Sequence, residues 1–208
     1  MKETKDVLMQ LFPSPILISS YPFDYGRELE WINKQPNKKQ NEGAVNRQSE
    51  DLYILDNPEM SRVRQFIELK LKEFVHNVMG SDSQMVITQS WFNKSKKGES
   101  HHEHMHPNSI ISGVWYPQIH EKMPPIKFRI AQQRQVSLHI KKYNNFNSAT
   151  YMLPLKMGEL IIFSSDLQHS VPVNESNEER ISLSFNTWVK GSLGDKERLT
   201  YLPLDRCV

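Results

Sequence analysis

Histidine is concentrated in one short stretch of this 208-residue chain. Four of its eight histidines lie within His101–His106, beside the carboxylate of Glu103. Histidine is the commonest metal-binding side chain in proteins. This density therefore predicts a metal site. An engineered histidine tag would lie at a terminus, whereas this cluster lies in the middle of the chain.

One interpretation of the cluster is a zinc peptidase, because His102, Glu103 and His106 satisfy the pattern H-E-x-x-H. That motif works on a helix, which brings both histidines to one face and leaves the glutamate as general base. Here Pro107 follows at once, and no amphipathic helical pattern surrounds the motif. The sequence therefore disfavours the peptidase.

A second interpretation places the cluster on a β-strand. Strand residues two apart share a face at about 7 Å, so His102 and His106 would lie roughly 13 Å apart and could not bind one ion together with the histidine between them. One adjacent pair plus a distant ligand is expected. His169, in the segment GELIIFSSDLQHSVPV, is the favoured distant ligand, and His120 and His139 are weaker candidates.

Short apolar segments dominate the chain from residue 85 onward. They are rich in β-branched and aromatic residues and are separated by turn-forming residues, as strands are. These segments are MVITQSWF, SIISGVWY, IKFRI, QVSLHI, ELIIFSS and RISLSFNTWV. LFPSPILISSYPF near the start predicts one further strand. The pattern indicates an α+β chain, mainly β, with an antiparallel sandwich or barrel.

Two helices are predicted before these strands. The first covers Tyr25–Asn33 with Asp24 as N-cap. The second begins after Asn57 as cap with Pro58 in its first turn, and it ends before Gly80. Its apolar residues recur at intervals of three and four and predict one buried stripe. The stripe consists of Val63, Ile67, Leu71, Phe74, Val75 and Val78. The polar stretch Lys34–Glu50 is predicted to be an exposed loop.

Length and composition predict one domain over residues 1–208. Helices support it over about residues 1–80, and the β core covers about 85–190. With 26 basic and 24 acidic residues, the charge balance does not favour nucleic acid or a membrane surface as partner. A single cysteine, Cys207, excludes an internal disulfide, and no signal-peptide pattern is found, so we expect a cytoplasmic protein.

Several motifs together resemble the 2-oxoglutarate and Fe(II)-dependent oxygenases, and more narrowly a poorly characterised bacterial and phage group with an H-x-H…H…R pattern. The motifs are LFPSP, SWFN at Ser90–Asn93, Gly98, HMHPNSIISGVWY at His104–Tyr116, GELIIFSSDLQHSVPV at Gly158–Val173 and RISLSFNTW at Arg180–Trp188. The resemblance spans most of the chain. It implies a double-stranded β-helix, also called a jelly-roll or cupin-like core.

The resemblance also implies a role for individual residues. The metal ligands and catalytic residues fall on His104, His106 and His169. Arg180 falls where the family binds the 5-carboxylate of 2-oxoglutarate, and a guanidinium suits this because its rigid fork matches a carboxylate. The remaining cosubstrate contacts implied are Ser182, Tyr116 and Asn93.

The chain departs from the family at one position. The family usually has H-x-D or H-x-E at the first ligand pair, which gives two histidines and one carboxylate. Here His106 replaces the anion, so the predicted site has one negative charge less. Glu103 is expected on the opposite strand face, and Asp166 is a looser candidate for the missing carboxylate. We expect three histidine ligands.

The implied activity is that of an Fe(II)- and 2-oxoglutarate-dependent dioxygenase. Its expected reaction is a hydroxylation that couples decarboxylation of 2-oxoglutarate to oxidation of a substrate C–H bond. The expected partners are O2 and a small-molecule or peptide substrate. Neither nucleic acid nor a membrane is expected to bind. Whether the protein forms a homodimer is left open by the sequence.

Two other functions use the same fold. A cupin-type dioxygenase or isomerase holds its metal with three histidines, and Gly98, His104 and His106 satisfy its G-x5-H-x-H pattern. The usual cupin glutamate is absent, however, and a cupin gives no reason for Arg180. A catalytically inactive metal-binding jelly-roll is the other alternative.

Overall fold

A computed structural model describes residues 6–39, 46–130 and 138–206 of the chain. The described part is mainly β, with antiparallel sheets and few helices, as predicted. Cys207 and the first half of the predicted strand QVSLHI lie outside the described residues. Residues 138–140, which end that predicted strand, form no regular element.

The strands form two main sheets. The larger has the order β1-β9-β6-β11-β4-β3-β2, and the smaller has the order β5-β10-β7-β8. A short hairpin joins β12 and β13. The strands are β1 Ile16–Ser20, β2 Asn37–Lys39, β3 Arg47–Ser49, β4 Met85–Ser95, β5 His101–His104, β6 Ile111–Gln118, β7 Ile126–Arg129, β8 Thr150–Leu153, β9 Glu159–Ser164, β10 Gln168–Val171, β11 Arg180–Val189, β12 Ser192–Leu193 and β13 Leu202–Pro203.

Two helices pack against the outer face of the larger sheet. Helix α1 covers Gly26–Lys34 and helix α2 covers Ser61–Asn77. The predicted stripe of α2 is buried with one exception: Val78 lies just beyond the helix and is 44% exposed. The prediction for Val78 was wrong because the helix ends one residue earlier. Asn57 precedes a separate turn of 3-10 helix instead of capping α2.

Alternation along the strands of the larger sheet separates two apolar cores. On β9, Leu160 and Ile162 pack with the helices, whereas Ile161 and Phe163 face the smaller sheet. This follows from the two-residue period of a strand, which sends neighbouring side chains to opposite faces. Phe128 of β7 closes the second core from the smaller sheet.

The inner face of the larger sheet, which faces the smaller sheet, carries polar side chains on strands β11 and β4. On β11, Arg180, Ser182 and Ser184 are polar and buried, while the residues between them join the helical core. Asn93 of β4 pairs with Ser182 across the strands. A polar strip inside a sandwich is costly to bury without partners, so the fold itself indicates a binding site here.

Gly113 of β6 provides a test of the packing between the larger sheet and its helices. A Cβ atom built there would lie 2.3 Å from Cζ of Phe185 and 2.7 Å from the carbonyl oxygen of Ile161. Since the carbonyl belongs to a central strand, it cannot move away cheaply. We expect Gly113→Ala to lower the free energy of unfolding by about 1–3 kcal/mol, as measured by urea denaturation.

Gly26→Ala is the matched control. The nearest atom to a Cβ at Gly26 is Oδ1 of Asp24 at 3.6 Å, and the residue begins helix α1. Alanine there should leave stability unchanged or raise it slightly. Equal stability of the two variants would contradict the close packing at Gly113.

The predicted exposed loop Lys34–Glu50 is partly ordered into strands. Strands β2 and β3 extend the larger sheet beyond β4, and Asn46 and Ser49 are buried. Their polar sequence misled the prediction because these strands lie at the sheet edge and need few apolar residues. Neither helix in the described part of the chain has the length and apolar composition that a membrane span requires.

Candidate functional site

The three histidines predicted as ligands come together where β5 pairs with β10. His104 ends β5 and lies directly across from His169 of β10. His106 follows the end of β5, and its backbone N–H donates to the carbonyl of Ser165 at 2.9 Å. The ring centroids of the three imidazoles are 4.4–5.1 Å apart. Their ligand atoms all lie within 4.8 Å of one another.

Hydrogen bonds orient two of these rings toward a common centre. Nδ1 of His104 lies 2.9 Å from the carbonyl oxygen of His102, and Nδ1 of His169 lies 2.9 Å from that of Leu167. A carbonyl only accepts, so each Nδ1 carries the proton and each Nε2 keeps its lone pair. Such contacts with ligand imidazoles are typical of metal sites.

The separation of the imidazole nitrogens also fits one ion. Nε2 of His106 lies 3.2 Å from Nε2 of His169. Two nitrogens bound at about 2.1 Å to the same ion, and roughly at right angles, would lie about 3 Å apart. The residues present therefore fit a divalent transition metal.

Burial keeps these imidazoles neutral. Burial, together with the neighbouring His169 and His104, lowers the pKa of His106 to about 3. It lowers the pKa of His169 to about 4, with a further contribution from His104. The pKa of His104 is also lowered by burial. Neutral imidazole is the form that binds a metal ion.

The two carboxylates considered as ligands lie away from the three histidines. Glu103 is exposed, with Oε2 3.5 Å from Nε of Arg129. Asp166 is also exposed and accepts a hydrogen bond from Oγ of Ser164 at 2.6 Å. Among the described residues, the groups suited to a metal contain only histidines. The candidate donor set is therefore three neutral imidazoles.

Arg180 provides a buried positive charge in the same cavity. It is 2% exposed, its Nη1 donates to Oγ of Ser182 at 3.4 Å, and its guanidinium lies 5.1 Å from the ring centre of Tyr116. Burial lowers the pKa of Arg180, which the neighbouring tyrosine partly opposes. Within the described ranges, Nε has no acceptor and the guanidinium forms no ion pair. A buried cation without a counterion fits a site for an anion.

Tyr116 of β6 presents a second unpaired group beside Arg180. The side chain is fully buried, and its hydroxyl lies near the Arg180 guanidinium without a hydrogen bond of good geometry to any described residue. Burial raises the pKa of Tyr116 to about 12, against the opposing effect of Arg180. The phenol is therefore protonated at neutral pH and available as a donor.

The remaining predicted residues line the same cavity. Asn93 donates through Nδ2 to Oγ of Ser184 at 3.4 Å, and Ser182 lies across from it on β11. The structure thus brings all seven predicted site residues into one cavity between the two sheets. That cavity is lined by Asn46, Trp91, Asn93, Ser95, His101, His104, His106, Val114, Tyr116, Ile126, His169, Val171, Arg180, Ser182 and Ser184.

His101 and Asn46 are among the lining residues that sequence reasoning did not select. Three residue steps separate His101 from His104, whereas two separate their partners Val171 and His169 on β10. This bulge brings His101 to the same face as His104, against the regular alternation assumed for the strand. Asn46 belongs to the stretch predicted as an exposed loop. The histidine cluster includes His101, but no sequence signal shows that it shares a face with His104, and no signal identifies Asn46.

Residues 89–186 match the model of a family described as "Putative 2OG-Fe(II) oxygenase". The resemblance recognised in the sequence is thereby confirmed for the 2-oxoglutarate/Fe(II) oxygenase family. The narrower group with the H-x-H…H…R pattern stays a prediction. Among curated proteins, none matches this chain.

Solved structures share the fold. An oxidoreductase of the 2OG-Fe(II) oxygenase family from Burkholderia pseudomallei has 14% identity and a TM-score of 0.59, covering 83% of each chain. A Pseudomonas putida prolyl-4-hydroxylase has 13% identity and a TM-score of 0.61, covering 86% of this chain and 94% of its own. HygX from Streptomyces hygroscopicus, with nickel and 2-oxoglutarate bound, has 8% identity and a TM-score of 0.59, covering 84% of this chain and 82% of its own.

These likenesses confirm the fold class, a mainly β chain with the double-stranded β-helix of 2-oxoglutarate oxygenases.

Proposed function

We propose that this protein is an Fe(II)- and 2-oxoglutarate-dependent dioxygenase that hydroxylates its substrate. One observation supports this above the others. A single cavity contains three convergent neutral imidazoles on the side of the smaller sheet and, on β11 of the larger sheet, a buried guanidinium that has no counterion among the described residues. These are the two groups needed to hold a metal ion and an acid that chelates it.

His104, His106 and His169 would hold the iron. Hydrogen bonds from Nδ1 to backbone carbonyls fix two of the rings before the ion arrives. Three neutral ligands leave the charge of Fe(II) uncompensated, so an anionic cosubstrate would bind more strongly beside it than beside a carboxylate-containing set. The replacement of the usual carboxylate by His106 thus favours binding of a dianion beside the metal ion.

Arg180 would bind the distal carboxylate of 2-oxoglutarate. Its Nε is free to donate, and the Tyr116 hydroxyl lies ready as a neutral donor beside it. Ser182 holds one arm of the guanidinium in place. Each charge-assisted hydrogen bond to the carboxylate contributes roughly 1.5–3 kcal/mol.

Fe(II) and 2-oxoglutarate, when bound, would supply the chemistry that reduces O2, with one oxygen atom going to succinate as CO2 is lost and the other to the substrate C–H bond. The chain itself positions the two groups, keeps the imidazoles unprotonated and encloses the far carboxylate among apolar neighbours. Those neighbours include Val114 and Ile126, which line the same cavity. Exclusion of water there strengthens each charged contact.

The substrate would approach from the open side of the histidines. A second groove is lined there by His102, His106, Trp91 and the carboxamides Gln48, Gln89 and Asn186. The described residues of this groove provide hydrogen-bonding groups and one indole ring but no carboxylate or guanidinium. A small molecule or a peptide fits such a surface equally, and O2 is the other substrate.

Turnover of the cosubstrate tests the proposal directly. Protein purified without oxygen and loaded with Fe(II) should convert 2-oxoglutarate to succinate once O2 is admitted, even if slowly without substrate. Protein loaded with Zn²⁺ is the control and should form no succinate. Failure to bind either iron or 2-oxoglutarate would exclude the proposed function.

A cupin-type dioxygenase or isomerase is the second candidate, favoured by the all-histidine set alone. It requires no diacid, so metal binding without any 2-oxoglutarate binding would support it. We also propose that residues 1–208 act as one domain in the cytoplasm, without nucleic acid or membrane as partner.

A further inference from the structure

We propose that His101 is a further cosubstrate-binding residue, which donates a hydrogen bond from Nε2 to a carboxylate oxygen of 2-oxoglutarate. This inference rests on the proposed function, because it names a contact within that same site. His101 has no counterpart among the residues that the family resemblance implied.

The bulge in β5 is the first step of the argument. It places His101 on the inner face of the strand, with its ring stacked on that of His104 at a centroid distance of 4.4 Å and an angle of 20°. A regular strand would send His101 outward. The bulge disrupts the pairing of a strand only four residues long, and such features recur beside active sites, where they redirect a side chain.

A chain of hydrogen bonds then fixes the imidazole. Nδ2 of Asn46 donates to Nδ1 of His101 at 3.3 Å and to Oδ1 of Asn93 at 3.3 Å. Asn93 in turn donates to Oγ of Ser184. Because Nδ1 of His101 accepts in this chain, its proton lies on Nε2. The buried carboxamide of Asn46 thus orients the ring as a donor.

The position of His101 along the cavity identifies its ligand. On β4, Trp91 lies beside His106 at 5.8 Å between ring centres, and Ser95 lies across from Arg180 at the far end. Asn93, which joins His101 through Asn46, lies between these two ends. His101 therefore lies beside the span that a diacid would occupy between the metal ligands and Arg180.

In the described part of the chain, the Nε2 donor of His101 has no partner that would make its role structural. His101 lines the cavity, and none of the described residues accepts a hydrogen bond from its Nε2. A metal is the competing partner, because His101, His102 and His104 form a second group with ligand atoms within 4.8 Å. That group would need Nε2 of His104, which the first group already uses, since Nδ1 of His104 donates to a carbonyl.

His101→Phe tests the proposal, because phenylalanine keeps a ring against His104 and removes both nitrogens. The protein is loaded with Ni²⁺, its metal content is measured, and 2-oxoglutarate is titrated by calorimetry. We expect unchanged metal content and a Kd for 2-oxoglutarate raised about 10–100-fold, which corresponds to one lost hydrogen bond to a charged group. His76→Phe is the matched control, since His76 is exposed on helix α2 and lines neither cavity, and its Kd should equal that of the parent protein.

Each other result has a distinct meaning. An unchanged Kd in His101→Phe, with binding intact in the parent protein, overturns the inference and leaves the proposed function standing. Loss of metal from His101→Phe overturns it in favour of a ligand role. Absence of 2-oxoglutarate binding in the parent protein refutes the proposed function itself. If His101→Phe does not fold, Asn46→Leu removes the orienting amide and must also raise the Kd, or the inference fails.

Discussion

His169→Ala should abolish metal binding and all succinate formation. His169 is the central member of the candidate set, with its Nε2 3.2 Å from that of His106 and its ring directly across the strands from His104. Removing even the hydrogen-bond partner of a metal ligand costs about 10–100-fold in metal affinity. Removing a ligand outright should exceed that range, as measured by competition with a chromophoric chelator.

The control for this variant is His139→Ala. His139 is exposed and was the weaker histidine candidate, so its removal should leave metal affinity unchanged. The thermal unfolding curve of His169→Ala without metal separates loss of a ligand from loss of the fold. A folded His169→Ala protein that keeps one equivalent of tightly bound metal would show that the ion lies elsewhere.

Arg180→Met should act in opposite directions on cosubstrate binding and on stability. Binding of 2-oxoglutarate should weaken by about 100-fold or more, because truncating one partner of a buried charge pair costs roughly 2–5 kcal/mol. The ligand-free protein should become more stable, because methionine removes a buried guanidinium that has no counterion in the described ranges. Calorimetry measures the first effect, and urea denaturation without 2-oxoglutarate measures the second.

Arg180→Lys is the matched control for charge. It keeps the positive charge and loses the planar fork, so 2-oxoglutarate binding should fall to a value between those of the parent protein and Arg180→Met. Metal content should stay the same in both variants. Binding of 2-oxoglutarate by Arg180→Met at the parent affinity would show that the distal carboxylate is bound by another group.

The fold was predictable because its strands carry strong local signals. Segments such as ELIIFSS, which became β9, combine apolar and β-branched residues with a preceding glycine turn, and burial on both faces explains their continuous hydrophobicity. Edge strands lack that signal. Strands β2 and β3 have the sequences NKK and RQS, so their pairing comes from the neighbouring strand instead of their own composition.

The placement of His104, His106, His169 and Arg180 together was implied by the family resemblance. The strand period alone restricted the ligands to one adjacent histidine pair and a distant partner. The position of His101 was not predictable. Its side chain depends on a bulge whose location is set by pairing with β10, a tertiary property. The burial of Asn46 was not predictable either, because a buried polar residue adds nothing to the hydrophobic pattern of the sequence.

Strand β5 lies at the edge of the smaller sheet, is four residues long and contacts β10 on only one side. It would open more readily than the strands around it, since local unfolding begins where few contacts hold a segment. An ion shared by His104 and His169 would join β5 to its neighbour. Iron supply would then affect the lifetime of the protein as well as its activity, because β5 would open more often in the iron-free form and a protease would cleave that form faster.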